Sequence, residues 1–263
     1  MRSLDSYLSA VGPRALGLYP DLEGSWQKLD DASWTRIRNS LLHSEGIHIH
    51  LADALVSEER YLFNYHGSSF KPLPWAQDTS KWVSALTFWL PTEDLEAHGP
   101  ERVRELATEL ASLLPFCSGH AGLSLNCETD LVGVENVVRT QASRYPGMDI
   151  PDPFLHSWDM GTHVNGVHWL NFLGPPVLEE MGGVAGLRAR LHSPGTTVQE
   201  MGEGRALITL GAWPDAGDTE QGRTLPAYRE LARVLEPVLY RSQDSRKREV
   251  PEPIRRWERR FLD

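Results

Sequence analysis

Three stretches between residues 47 and 90 alternate or concentrate apolar positions at the period of a strand. They are Ile47-His48-Ile49-His50-Leu51, Tyr61-Leu62-Phe63-Asn64-Tyr65 and Ala85-Leu86-Thr87-Phe88-Trp89-Leu90, all short, rich in aromatic and branched residues, and bounded by Gly, Pro and Asp. A helical period appears on either side of them. Residues 31–42 read as a helix with Asp30 or Asp31 as its cap and Trp34, Ile37 and Leu41 along one side. Residues 100–114 give the clearest helix: Pro100 suits the first helical position and Glu101 the positive end of the dipole. Val103, Leu106, Leu110 and Leu113 recur at helical spacing, and Pro115 ends the run.

Further along, the pattern predicts a strand at 121–125, a helix over 131–143 and a Pro-rich loop at 146–153. A strand at 169–173, a helix over 176–191 and strands at 197–201 and 206–210 come next. A last helix over 226–240 opens at Pro226 and buries Tyr228, Leu231, Leu235 and Leu239. Strands and helices are mixed rather than strictly alternating. The expected class is therefore α+β, with mixed, mostly antiparallel sheet and helices packed on one face. A strand–helix–strand order that occurs twice suggests two similar α/β halves, although no sequence repeat accompanies it. Residues 1–240 read as one α+β domain. Residues 241–263 are charged, carry Pro251 and Pro253 and show no apolar face before Trp257, Phe261 and Leu262, so they read as a loosely docked tail or a short basic helix.

Composition narrows the function. With 263 residues, one large core or two intimately packed halves are both reasonable. The formal charge of −10 is uneven: residues 241–263 hold eight Arg and Lys against five Asp and Glu (+3), which leaves 18 against 31 (−13) on residues 1–240. Phosphates repel such a body, which argues against nucleic acid, whereas a basic protein surface suits it. Nine Trp fit a well-filled core and, where exposed, a protein interface. Cys117 and Cys127 are too few for a secreted-type disulfide framework, Asp5 stands where a signal peptide would turn apolar, and no apolar run approaches a membrane span. The expectation is a cytoplasmic chain.

The search for catalytic chemistry yields little. Gly182-Gly183-Val184-Ala185-Gly186 lies in a helical stretch with no following Lys-Ser/Thr, so it is no phosphate loop. His48 and His50, two apart on a strand, share a face and offer the best start of a metal site, which keeps a metal-dependent enzyme as the rival reading. His163 with His168, and Cys117 with His120, are weaker pairs that lack an orienting third group. Acidic loops offer more: Asp149 and Asp152 in the Pro-rich loop, and Asp215, Asp218 and Glu220 in a Gly-broken segment expected to be exposed. They are candidates for meeting a basic partner, or simply solvated. No catalytic, cofactor-binding or metal residue is assigned.

A series of stretches then resembles the type VI secretion immunity proteins, a family long described as a domain of unknown function. In order they are Gly12-Pro13-Arg14-Ala15-Leu16-Gly17, Asp21-Leu22-Glu23-Gly24 and Phe88-Trp89-Leu90-Pro91-Thr92-Glu93. Next come Leu114-Pro115-Phe116-Cys117-Ser118-Gly119-His120-Ala121-Gly122-Leu123, Arg144-Tyr145-Pro146-Gly147-Met148-Asp149 and His168-Trp169-Leu170-Asn171-Phe172-Leu173-Gly174. Leu210-Gly211-Ala212-Trp213-Pro214 and Leu225-Pro226-Ala227-Tyr228-Arg229-Glu230-Leu231-Ala232 complete the series, which spans nearly all of residues 10–240. The resemblance implies an antitoxin with no catalytic residues and no cofactor, bound to a cognate toxin of restriction-endonuclease-like nuclease fold.

Overall fold

Alternation between residues 48 and 89 builds a five-stranded antiparallel sheet. Its strands, β1 (Leu18–Pro20), β2 (Trp26–Lys28), β3 (His48–Ala52), β4 (Leu62–His66) and β5 (Ala85–Trp89), pair in the order β2-β1-β3-β4-β5. The computed structural model describes residues 1–55, 59–69, 79–126, 138, 140, 142–242 and 252–263, arranged as two compact units. Unit 1 comprises Met1–Leu114 with Asp152–Gly161, and unit 2 comprises Pro115–Pro151 with Thr162–Asp263.

In unit 1, helices α1 (Arg2–Val11), α2 (Asp31–His43) and α3 (Thr92–Ser112) supply the apolar side chains that cover one face of the sheet. Leu4, Tyr7 and Leu8 of α1 fall at i, i+3 and i+4, the spacing that lines one helical face, and join Ile37, Leu106 and Leu110 over Ile49, Leu51 and Phe63. The Tyr7 hydroxyl, buried in this core, donates to the Trp89 carbonyl at 2.5 Å, which meets its need for a partner. Asp30 caps α2 by accepting from the Ser33 amide at 2.8 Å. Helix α3 begins earlier than residue 100 because two helical segments run together across Gly99, whose φ of 79° sets the kink just before Pro100. The short helix α4 (Pro153–Asp159) starts at the last residue of the expected 146–153 loop and runs on through residues to which the sequence pattern assigns no element.

In unit 2, β6 (Ser118–Ala121), β7 (Leu170–Leu173), β8 (Thr196–Gly202) and β9 (Arg205–Leu210) form a second antiparallel sheet, ordered β6-β7-β9-β8. Strand β6 lies upstream of the expected 121–125. Backbone pairing with β7, Ser118 opposite Leu173 through Ala121 opposite Leu170, selects a segment with little strand propensity of its own. Strand β7 is buried along its whole length. The single helix expected over 176–191 is broken into α5 (Val177–Glu180) and α6 (Gly183–Arg188) at Gly182, which takes the left-handed conformation that glycine favours. Helix α7 (Pro226–Leu235) buries Tyr228, Leu231, Ala232 and Leu235, and Pro237 converts its continuation into a 3-10 turn. The helix expected over 131–143 lies largely outside the described residues, and within it positions 138, 140, 142 and 143 are helical. A helix α8 (Glu252–Glu258) forms near the C-terminus, and Phe261 beyond it is buried beside the Tyr228 ring at 5.5 Å. Both antiparallel sheets with surrounding helices agree with the α+β expectation.

Gly174 marks a close crossing of two segments in unit 2. A Cβ there would lie 2.1 Å from the Phe116 carbonyl oxygen, while the Gly174 amide donates to the Cys117 carbonyl at 2.8 Å. Gly174→Ala is expected to force the two segments apart and lower stability by about 3 kcal/mol, read as a fall in the urea midpoint. An unchanged midpoint would contradict the close approach.

Candidate functional site

The two histidines singled out on β3 do share a face. The β3–β4 register sets His48 opposite His66 and His50 opposite Asn64. The His48 ring stacks on His66 at 4.0 Å, its Nε2 lies 3.0 Å from Asn64 Oδ1, and His50 Nε2 lies 3.0 Å from Glu59 Oε1. Trp26 sets its ring edge-on to His50 at 5.2 Å. The rings of His48 and His50 themselves lie 6.3 Å apart with planes 59° apart, and each is engaged by a different neighbour. Burial, reinforced by the neighbouring imidazoles, pushes His66 down to about 4 and lowers His48 as well. Among the described residues, no third ligand gathers around this pair. A polar, mostly neutral ladder is the result.

A second cluster forms in unit 2, and no sequence pairing anticipated it. His120 of β6 and His168, just ahead of β7, stack at 3.7 Å with ring planes 13° apart. Asp149 places Oδ2 3.1 Å from His120 Nε2 and Oδ1 4.0 Å from His168 Nε2. Its backbone is anchored as well, with its amide donating to the Leu123 carbonyl and its carbonyl accepting from the Leu125 amide. His168 Nε2 donates to the Asn165 carbonyl at 2.8 Å, and Asn171 closes both ends of the turn by bonding the His168 amide and carbonyl. Arg260 reaches in from the C-terminal segment, its Nε donating to the Pro146 carbonyl at 2.9 Å and its guanidinium lying 3.9 Å over the Trp257 ring.

Burial opposes ionisation of Asp149, but His168, the His120 hydrogen bond and the Arg260 guanidinium together hold its carboxyl well below the usual range. Burial pushes His168 down to about 3 and Arg260 down to about 10, which leaves the guanidinium charged at neutral pH. His120, Asp149 and His168 bring one ligand atom each within 4.8 Å, the makings of a metal site by composition. Two features oppose that use: the imidazoles are parallel, and a guanidinium acts on the same carboxylate. The arrangement reads as a buried ion and hydrogen-bond network. Cys117, paired with His120 on sequence grounds, has its thiol pushed up by burial, and the His120 ring is committed to Asp149. His163 meets Ser118, whose hydroxyl donates to its carbonyl. Cys127 lies outside the described residues.

The five acidic candidates divide by role. Asp218, only 4% exposed, receives Arg144 through Nε at 3.2 Å and Nη2 at 3.0 Å and caps the turn Thr219–Gln221, so its expected exposure does not hold. Glu220 stays exposed and meets the same arginine at 2.8 Å. Asp215 pairs with Arg223 at 2.5 Å. The Gly147 amide donates to the Ala216 carbonyl, so the Pro146–Asp149 turn and the 215–223 loop lie side by side. Asp149 is buried, and Asp152, in unit 1, is exposed and caps α4 by accepting from the Leu155 amide. Charge is uneven here too: unit 1 holds 10 Lys and Arg against 18 Asp and Glu (−8), and unit 2 holds 16 against 18 (−2).

A family model described as TsiV, type VI immunity for VRR-NUC, matches residues 1–261. No curated protein matches the chain significantly. Among solved structures, the Pseudomonas aeruginosa T6SS protein PA0821 superposes with a TM-score of 0.76 at 22% identity, covering 99% of this chain and 75% of that one. At that identity the likeness concerns the fold.

Removing the Asp149 charge takes the negative acceptor from His120 and the countercharge from the half-buried Arg260 guanidinium. Asp149→Asn is expected to cost roughly 3–5 kcal/mol in urea denaturation, and a loss under about 1 kcal/mol would overturn the network reading. The depressed histidines set a pH dependence. Unfolded imidazoles protonate near 6.5, whereas His66 and His168 stay neutral in the fold down to about 4 and about 3. The native state therefore binds fewer protons in that window, and stability is complete above pH 6.5 and declines as pH falls below it. Thermal melts from pH 8 to pH 4 are expected to show that decline, with a flat profile arguing against it.

Proposed function

The chain belongs to the TsiV family, type VI immunity for VRR-NUC, and from that premise we propose that it guards its own cell by covering the phosphate-binding groove of a VRR-NUC nuclease toxin with an acidic face. Members of this family are immunity proteins, not enzymes, and the partner is the cognate toxin. The observation that carries the reading is the match over residues 1–261 together with the concentration of negative charge in unit 1. A groove that holds phosphate is positive, and an acidic surface placed over it competes with nucleic acid and speeds encounter.

Of the five acidic candidates, Asp152, Asp215 and Glu220 present carboxylates to a partner, while Asp149 and Asp218 hold their loops in shape. No helix among the described residues is long and apolar enough to cross a membrane, and the proposed action against a nuclease belongs in the cytoplasm, where that toxin would reach nucleic acid. The tests are direct. Calorimetry with a catalytically inactive VRR-NUC toxin should show a complex, and stoichiometric addition should stop nucleic-acid cleavage by the active toxin. No complex at micromolar concentration removes the proposal. The association rate should also fall by roughly tenfold or more as salt screens the field, and a salt-independent rate would rule out the electrostatic part.

A further inference from the structure

Seven large hydrophobic side chains stand exposed among the described residues, and three of them belong to the seven-residue helix α4 in unit 1: Phe154 at 59%, Leu155 at 45% and Trp158 at 37%. The other four, Leu22, Leu42, Leu55 and Trp213, lie singly in separate segments. Scattered exposed leucines are ordinary on a protein surface, whereas a concentration of aromatic and aliphatic groups on one element marks an interface.

This helix is held rigidly. Pro153 occupies its first turn, and the Asp152 carboxylate caps it from the Leu155 amide at 2.8 Å. The Ser157 carbonyl accepts from the Val83 amide at 2.9 Å, and the Gly161 amide donates to the Lys81 carbonyl at 2.8 Å, so both the helix and its exit are bonded to the segment entering β5. Ser157 turns inward and is buried. Trp82 sets its ring edge-on to Trp158 at 4.7 Å, and Phe154 lies 5.7 Å from the His66 ring, which places the helix over the histidine-bearing face of the sheet. The outward groups therefore stand on a fixed backbone, and ordering them on binding costs little. The exposed Asp152 flanks the apolar centre at its N-terminal end, in the unit that carries the −8 charge.

We propose that α4 is the anchor of the toxin interface, with Phe154 and Leu155 entering an apolar recess beside the basic groove of the VRR-NUC toxin and Trp158 packing at its edge. The inference rests on the immunity reading and deepens it by naming the surface. Exposed charges steer an encounter but contribute little once screened, whereas a few buried aromatic and aliphatic side chains hold a complex together. An apolar centre beside the exposed Asp152, in a unit of net charge −8, fits a partner whose own site is ringed with Lys and Arg.

The experiment uses the full-length chain and a catalytically inactive VRR-NUC toxin, with rates measured by surface plasmon resonance. The Phe154→Arg/Leu155→Arg double variant is expected to weaken binding by roughly 100-fold or more, chiefly through faster dissociation. Leu42→Arg, which alters an exposed leucine on α2, is expected to stay within about twofold of wild type. Equal affinity for the double variant and the wild type overturns the anchor and leaves the immunity reading standing. Failure of the wild type to bind overturns the immunity reading, and the anchor with it. Self-association of the chain alone that the double variant abolishes, with toxin affinity unchanged, overturns the anchor in favour of a second copy. If the double variant melts early, hydrogen exchange on the wild-type complex decides: protection of residues 153–159 supports the anchor, and unaltered exchange overturns it.

Discussion

A carboxylate taken out of water has to be answered by charge and hydrogen bonds, and Asp149 imposes that demand on unit 2. Its partners come from segments that are far apart in sequence: His120 from β6, His168 from the approach to β7, and Arg260 from the C-terminal segment. Each is buried or half-buried and carries other bonds, so none moves without disturbing the rest. The close approaches around the cluster follow from it. Arg260 holds the Pro146 carbonyl, and a Cβ at Gly147 would come within 2.0 Å of the Asp215 carbonyl oxygen, so the loop is fixed on both sides. Networks of this kind add little net stability over an apolar core, but breaking one member is costly, and that asymmetry favours a single arrangement.

Unit 1 divides its sheet between two solvents. Ile49, Leu51 and Phe63 face the helices, and the intervening positions carry His48, His50, Asn64 and His66 to the opposite face, where α4 reaches them through Phe154. Depressed imidazoles stay neutral at pH 7 and therefore stack without like-charge repulsion. A face built this way supports the helix through Phe154 while leaving Phe154, Leu155 and Trp158 partly exposed. The same arrangement explains why two histidines at strand spacing, a plausible start for a metal site, end up as packing groups.

The sequence disclosed what depends on local periodicity and concealed what depends on pairing. Strands β3, β4 and β5, helix α2 and helix α7 were legible because apolar positions recur at the right period between clear punctuation. Strands β1 and β2 have three residues each, too short for any period to show. Ser118-Gly119-His120-Ala121 has no strand signal, and only its pairing with β7 makes it one. Gly99-Pro100 reads as a helix start, and it hides the helical segment before it. The buried cluster was illegible for the same reason: Asp149 and His120 meet across 29 residues, and nothing local in either segment names the other. Helix α4 could have been found, since Asp152-Pro153 is a cap followed by a proline at the first position, but a loop rich in proline obscured it.

Charge and apolar surface also do different jobs in this molecule. Several acidic groups are already answered within the chain: Arg144 serves Asp218 and Glu220, and Arg223 serves Asp215. A basic partner would have to compete with those arginines for the same carboxylates, so these sites offer a weaker grip than the formal count suggests. What remains at long range is the summed field of unit 1, which acts before contact and fades as salt rises. Lasting attachment has to come from apolar surface that loses water on contact. Among the described residues of unit 1, α4 brings three exposed large hydrophobic side chains together on one short element, and the rigidity of its attachment means that little conformational freedom is lost there. The field brings the partner in, and the helix keeps it.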